Sequence, residues 1–140
     1  MKIIEMAPIL LDDAVKISPR IAVIGYPGAG KTTLCKRFKD HKIIHTDNFL
    51  NLTHQMRPEL LQQHVDAMNA VGPICVEGNE VTRLITRGWK PNLLILVEGS
   101  ERNDARTAGL RGRVDKFLRE YKGIYYVINP RKSDVLIMRN

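Results

Sequence analysis

Gly25-Tyr-Pro-Gly-Ala-Gly-Lys-Thr-Thr33 decides the reading of this chain. It fits the phosphate-loop pattern G-x-x-x-x-G-K-[ST] at every fixed position: Gly25, Gly30, Lys31 and Thr32. Just before it, Ile21-Ala-Val-Ile24 is a continuous apolar run, the pattern of a strand buried on both faces of a parallel sheet. Just after it, Thr32 to Lys39 predicts a helix, with Leu34 and Phe38 four apart on one face. Gly25, Gly28 and Gly30 permit a loop whose amides turn inward around an anion, and the following helix adds its free N–H groups. The segment from Gly25 through Gly28, Ala29, Gly30, Lys31 and Thr32 to Thr33 is therefore the candidate nucleotide cradle. Lys31 is assigned to the β- and γ-phosphates and Thr32 to Mg²⁺.

The remaining pattern alternates strands and helices. Lys42–His45, Ile74–Glu77, Leu93–Val97 and Ile124–Ile128 read as strands, Val135–Met138 as a possible last one. Helices are expected from Pro58 to Gly72, over Glu80–Arg87, and from Val114 to Gly123. Ser100 to Arg113, polar and interrupted by Gly109 and Gly112, suits a mobile excursion. Lys2–Ile4 and Ile9–Leu11 are possible short strands, with Asp12-Asp13 starting a turn. The fold class is thus α/β: a P-loop NTPase fold in one domain, a mostly parallel five-stranded sheet flanked by helices, with a short lid. Residues 1–19 form an uncertain extension.

At 140 residues and 44% apolar content the chain suits one globular core. No stretch has transmembrane or signal-peptide character, so a soluble cytoplasmic protein with no membrane partner is expected. Cys35 and Cys75, far apart in sequence, read as reduced packing residues, and the four histidines lack zinc-ligand spacing. The net charge of +7 fits a triphosphate-handling protein or one that meets nucleic acid. Seven of the basic residues lie between Arg102 and Lys122, as a solvated helix face or a phosphate cover.

Ligands of such a sheet sit beyond the carboxyl ends of its strands. Asp47 follows one strand there and Glu77 ends another. Asp47 either caps a turn or orients an acceptor hydroxyl toward the γ-phosphate. Glu77 either pairs with Arg83 or Arg87 or holds a water of Mg²⁺, with Glu98 as its rival.

From Arg20 to Pro130 the chain resembles the small P-loop kinases, the superfamily of nucleoside monophosphate, shikimate, gluconate and uridine kinases. Asp47 in Thr46-Asp-Asn-Phe-Leu50 resembles their acceptor-facing acid, and Glu77-Gly78 their Asp-Gly pair. The resemblance places Arg102, Arg106 and Arg111 in a lid over the phosphates, with Arg106 and Arg111 at the transferring group, and Pro130 beside the adenine. It implies an ATP- and Mg²⁺-dependent phosphotransferase acting on a small-molecule hydroxyl or a nucleotide. No Pro-Arg pair follows Glu77-Gly78, and Arg57 is the one basic residue between Asn48 and Gly72, which favours a hydroxyl acceptor. A polynucleotide 5′-hydroxyl kinase and a non-catalytic ATP-binding module are the alternatives.

Overall fold

The computed structural model describes residues 8–26, 29–49, 58–99 and 105–140. Seven strands form one mixed sheet: β1 (Ile9–Leu10), β2 (Arg20–Gly25), β3 (Lys42–His45), β4 (Ile74–Glu77), β5 (Leu93–Val97), β6 (Tyr125–Ile128) and β7 (Val135–Arg139). Their spatial order is β1-β7-β6-β5-β2-β4-β3. Parallel ladders join β3 to β4, β4 to β2, β2 to β5 and β5 to β6, while β7 runs antiparallel to both β6 and β1. The sheet therefore has seven strands where five were expected. The possible strands at Ile9–Leu11 and Val135–Met138 are realised as β1 and β7, which form the antiparallel edge.

Five helices flank the sheet: α1 (Leu11–Lys16), α2 (Lys31–Cys35), α3 (Pro58–Val71), α4 (Val81–Thr86) and α5 (Ala105–Glu120). Strand residues alternate between two apolar layers, as the two-residue period of a pleated strand requires. Ala22, Ile24, Ile74, Val76, Leu94 and Leu96 pack with residues of α3, α4 and α5. Ile21, Val23, Cys75, Ile95 and Val97 pack on the other face with Leu11 and Ala14 of α1 and Leu34 and Cys35 of α2. Both faces of β2, β4 and β5 are covered, which is why these strands read as unbroken apolar runs.

Three local expectations change. Asp12 and Asp13 do not open a turn; they occupy the first turn of α1, where carboxylates favour the positive helix end. The helix after the phosphate loop ends at Cys35, not Lys39. Beyond it Arg37 and Phe38 donate their amides three residues back, to Leu34 and Cys35, tightening the chain into turns. The span expected as a mobile excursion lies, over residues 105–113, inside α5; residues 100–104 fall outside the described residues. Each helical glycine costs about 1 kcal/mol relative to alanine. Burial of Val114 and Leu118 on the same helix offsets that cost. The strand expected at Lys2–Ile4 and the segment 51–57 also fall outside the described residues. No described helix is long and apolar enough to cross a membrane.

β7 is part of the core and not an appendage, since Leu136 is fully buried against the layer formed with α1 and α2. Leu136→Ala is expected to lower stability by about 2–5 kcal/mol, the usual cost of emptying such a site. A urea melt reads this as a lower midpoint at unchanged slope; an unshifted midpoint would place β7 outside the cooperative unit.

Candidate functional site

The loop sits where strand order reverses, with β2 hydrogen-bonded to β4 on one side and β5 on the other. The register sets Glu77 opposite both Val23 and His45. It sets Gly25 opposite Val97. A Cβ on Gly25 would lie 2.8 Å from the Val97 carbonyl oxygen and 3.2 Å from Lys31 Cγ, so only glycine lets the strand end pass between them. Gly30 has φ 102° and caps α2 in the left-handed conformation, without a side-chain cap. Ala29 is fully buried, and its amide donates to the Tyr26 carbonyl at 3.0 Å. Gly28 lies outside the described residues. Because α2 has only five residues, an anion here would be gripped by loop amides and Lys31 more than by a helix dipole.

Lys31 Nζ donates to the Gly25 carbonyl at 3.2 Å, folding the ammonium back over its own loop. Burial pushes its pKa below the ordinary lysine value of 10.5, against the opposing pull of Glu77, Asp47 and Cys35. The charge is thus held in a place that disfavours it. Thr32 Oγ1 donates to Glu77 Oε1 at 2.7 Å, joining the start of α2 to the end of β4. Thr33 is exposed beside it.

Glu77 is buried, at 6% exposure. The alternative of an ion pair to Arg83 or Arg87 is not realised: Arg83 meets Glu80 at 3.0 Å and Arg87 meets Glu59 at 3.8 Å. Its rival Glu98 is engaged by Arg139 at 3.5 Å. What the sequence reading missed is His45, whose Nδ1 lies 3.6 Å from Glu77 Oε1. A lone histidine ending a strand carries no motif; the signal was its position, two residues before Asp47 at the same sheet edge. Asp47 itself is exposed in the 3₁₀ turn Thr46–Phe49, near enough to Lys31 to favour its charged form.

The floor between these groups is Gly78, with φ 127°. A Cβ there would lie within bonding range of Thr46 Oγ1. That hydroxyl is fully buried and has no hydrogen-bond partner among the described residues.

The second-rank candidates separate. Arg111 stacks over the Tyr26 ring, 4.7 Å from its centroid, so α5 does reach the loop. Tyr26 also donates its hydroxyl to Asp115 of α5 at 2.5 Å. Arg106 falls within α5, and Arg102 lies outside the described residues. Pro130 follows Asn129 at the carboxyl end of β6. Gly99 separates that turn from the loop: a Cβ on it would lie 3.3 Å from the Ala29 carbonyl and 3.7 Å from Asn129 Oδ1. Cys35 and Cys75, distant in sequence, come together beneath the site with sulfurs 3.8 Å apart. Hydrogen bonding to Cys35, then burial, raise the Cys75 thiol well above its usual range, and both cysteines are buried free thiols.

No protein-family model, curated protein or solved structure matches this chain.

Lys31 gives the site a stability signature. Its folded pKa lies below the unfolded one, so the burial cost is present in full at neutral pH. That cost is relieved as pH rises through the interval below 10.5. Lys31→Met is therefore expected to melt at a higher temperature than the parent at pH 7, with the gap narrowing toward pH 10.5. Thermal melts across that range check it; a variant less stable at every pH would show that the ammonium stabilises the fold.

Proposed function

We propose that this chain is a P-loop phosphotransferase that moves the γ-phosphate of ATP to a small-molecule hydroxyl. The observation that carries the reading is the 2.7 Å hydrogen bond between Thr32 and Glu77 beside the desolvated Lys31. A hydroxyl and a buried carboxylate joined at a glycine loop, with a lysine charge held against its own desolvation, make a site prepared for an anion and a hard cation. Mg²⁺ takes one or two carboxylates and completes its shell with waters and substrate phosphates. The all-oxygen pair Thr32 and Glu77 fits that requirement and would hold the ion. When bound, it would neutralise charge on the β- and γ-phosphates.

The chain's own residues supply the rest. Lys31, released from the Gly25 carbonyl, meets the phosphate oxygens, and the loop amides fix their orientation. The acceptor hydroxyl lies between Asp47 and the γ-phosphorus. Its oxygen forms the new bond to phosphorus as the bond to the bridging oxygen breaks, and ADP leaves with that electron pair. The hydroxyl proton passes to the Asp47 carboxylate and from there to water. In so loose a transition state, orienting the nucleophile matters more than early deprotonation. Arg111, already against Tyr26 at the loop, is a cation of α5 situated to offset phosphate charge.

Asp47→Asn preserves shape while removing charge and proton-accepting ability. Transfer to acceptor is expected to fall about 10²–10⁴-fold, with ATP affinity nearly unchanged. Coupled ADP-release assays over a panel of sugars, nucleosides and nucleotides, paired with calorimetric ATP titration, measure both. Lower ATP affinity with transfer per bound ATP intact would assign Asp47 to metal binding instead.

The loop lysine gives a second test. Lys31→Ala is expected to weaken Mg·ATP binding strongly in a folded protein. A folded variant that binds ATP like the parent would refute nucleotide binding at this loop.

A further inference from the structure

The opposite edge of the sheet carries a different chemistry. Five stretches of chain lead from a helix into a parallel strand. Counted from the last helical residue to the first strand residue, they are 16–20, 35–42, 71–74, 86–93 and 120–125. Together they hold nine lysines and arginines against two acids, Asp40 and Glu120. That surplus equals the whole chain's formal charge of +7, so everything outside them is balanced, thirteen residues of each sign.

The stretches form one continuous rim. The Lys42 amide donates to the Pro73 carbonyl at 3.0 Å, Ile74 to Pro19 at 2.9 Å, and Asn92 to Arg20 at 2.7 Å. Some cations are occupied: Arg37 pairs with Asp134 and Asp12, Arg87 with Glu59, and Arg20 Nε donates to the Lys90 carbonyl. Lys39, Lys90 and Lys122 are exposed and in no ion pair among the described residues. Beside the last two opens a cavity of 580 Å³ walled by Trp89, Phe117 and Tyr121. The Phe117 and Tyr121 rings stack at 5.3 Å.

We infer that this rim is a docking surface for single-stranded nucleic acid, its backbone following the lysines and one base entering the aromatic cavity. Charge complementarity selects a polyanion. Recessed rings flanked by lysines select one with flat, apolar bases, since base–aromatic stacking and backbone neutralisation are the two devices of sequence-tolerant strand binding. An anionic bilayer fits less well. Trp89 is withdrawn at 9% exposure, and none of the five stretches contains a helix of its own that could lie there as an interfacial anchor. The surface lies across the sheet from the phosphate loop and does not depend on the phosphotransfer reading.

Trp89 is the one tryptophan of the chain, so its emission reports on the cavity directly. The test is fluorescence anisotropy of a labelled oligothymidylate of about twelve nucleotides with the full chain, over a salt series. Binding is expected to quench Trp89. Joint replacement Lys39→Glu, Lys90→Glu and Lys122→Glu is expected to weaken it about tenfold or more. The slope of log affinity against log salt should become shallower by about 0.7 for each phosphate that the variant no longer neutralises. The thermal melting midpoint of the triple variant should stay close to the parent value, which shows that it folds. Equal oligonucleotide affinity in parent and triple variant would overturn the inference. So would binding abolished by Lys31→Ala alone, or capture by phosphatidylserine vesicles with no oligonucleotide binding.

Discussion

Everything at the glycine-loop edge of the sheet depends on β2 being hydrogen-bonded along both sides at once. Its ladder to β4 fixes Glu77 opposite Val23, and its ladder to β5 fixes Val97 opposite Gly25. Those two registers decide where the loop can turn and which carboxylate it meets. A one-residue slip on the β4 side would send Glu77 to the face of α3 and α4, into an apolar layer. There a buried carboxylate would have no hydroxyl to accept from, and the cost of burying it unpaired enforces the register.

The same geometry explains why two glycines here are not interchangeable with alanine. Gly25 is constrained by crowding from a neighbouring backbone oxygen. Gly78 is constrained both by a positive φ and by the Thr46 side chain. The Thr46 hydroxyl, without a partner among the described residues, and the disfavoured Lys31 charge are local departures from what stability alone would select. They lie within the candidate site, where such costs are commonly tolerated for binding.

Much of this was legible in the sequence, for a physical reason: strands buried on both faces must be apolar throughout. Ile21–Ile24, Ile74–Val76 and Leu93–Val97 accordingly announce themselves. α5 did not, because its first half is rich in glycines and arginines in the sequence, while the burial of Val114 and Leu118 that supports the helix lies further along. β1 was marginal for a similar reason, since two residues carry no period. Within the site, the loop was readable because its motif is contiguous, and Glu77 because it closes an apolar run. His45 and the Cys35–Cys75 pair were not, since register and not spacing brings them into place. The basic rim was hidden most completely. Its charges are scattered over five short segments that only the parallel topology gathers on one edge.

The pairing of β1 with β7 carries a consequence for the order in which the molecule assembles. Ile9 and Leu10 sit opposite Leu136 and Val135, and the Leu11 amide donates to the Asp134 carbonyl at 2.8 Å. Leu11 and Ala14 are buried in the apolar layer that also holds Leu136 of β7. In synthesis the strand that receives β1 is made more than a hundred positions after it. β1 therefore stays without its partner strand until β7 has been made, whereas the ladders of β2 with β4 and β5 need no residue beyond 97. Closing so long a loop adds little free energy, since the entropic cost grows only with the logarithm of length. It does add delay, because long-range pairings form slowly. The pairing of β1 with β7 is accordingly expected among the late contacts of folding.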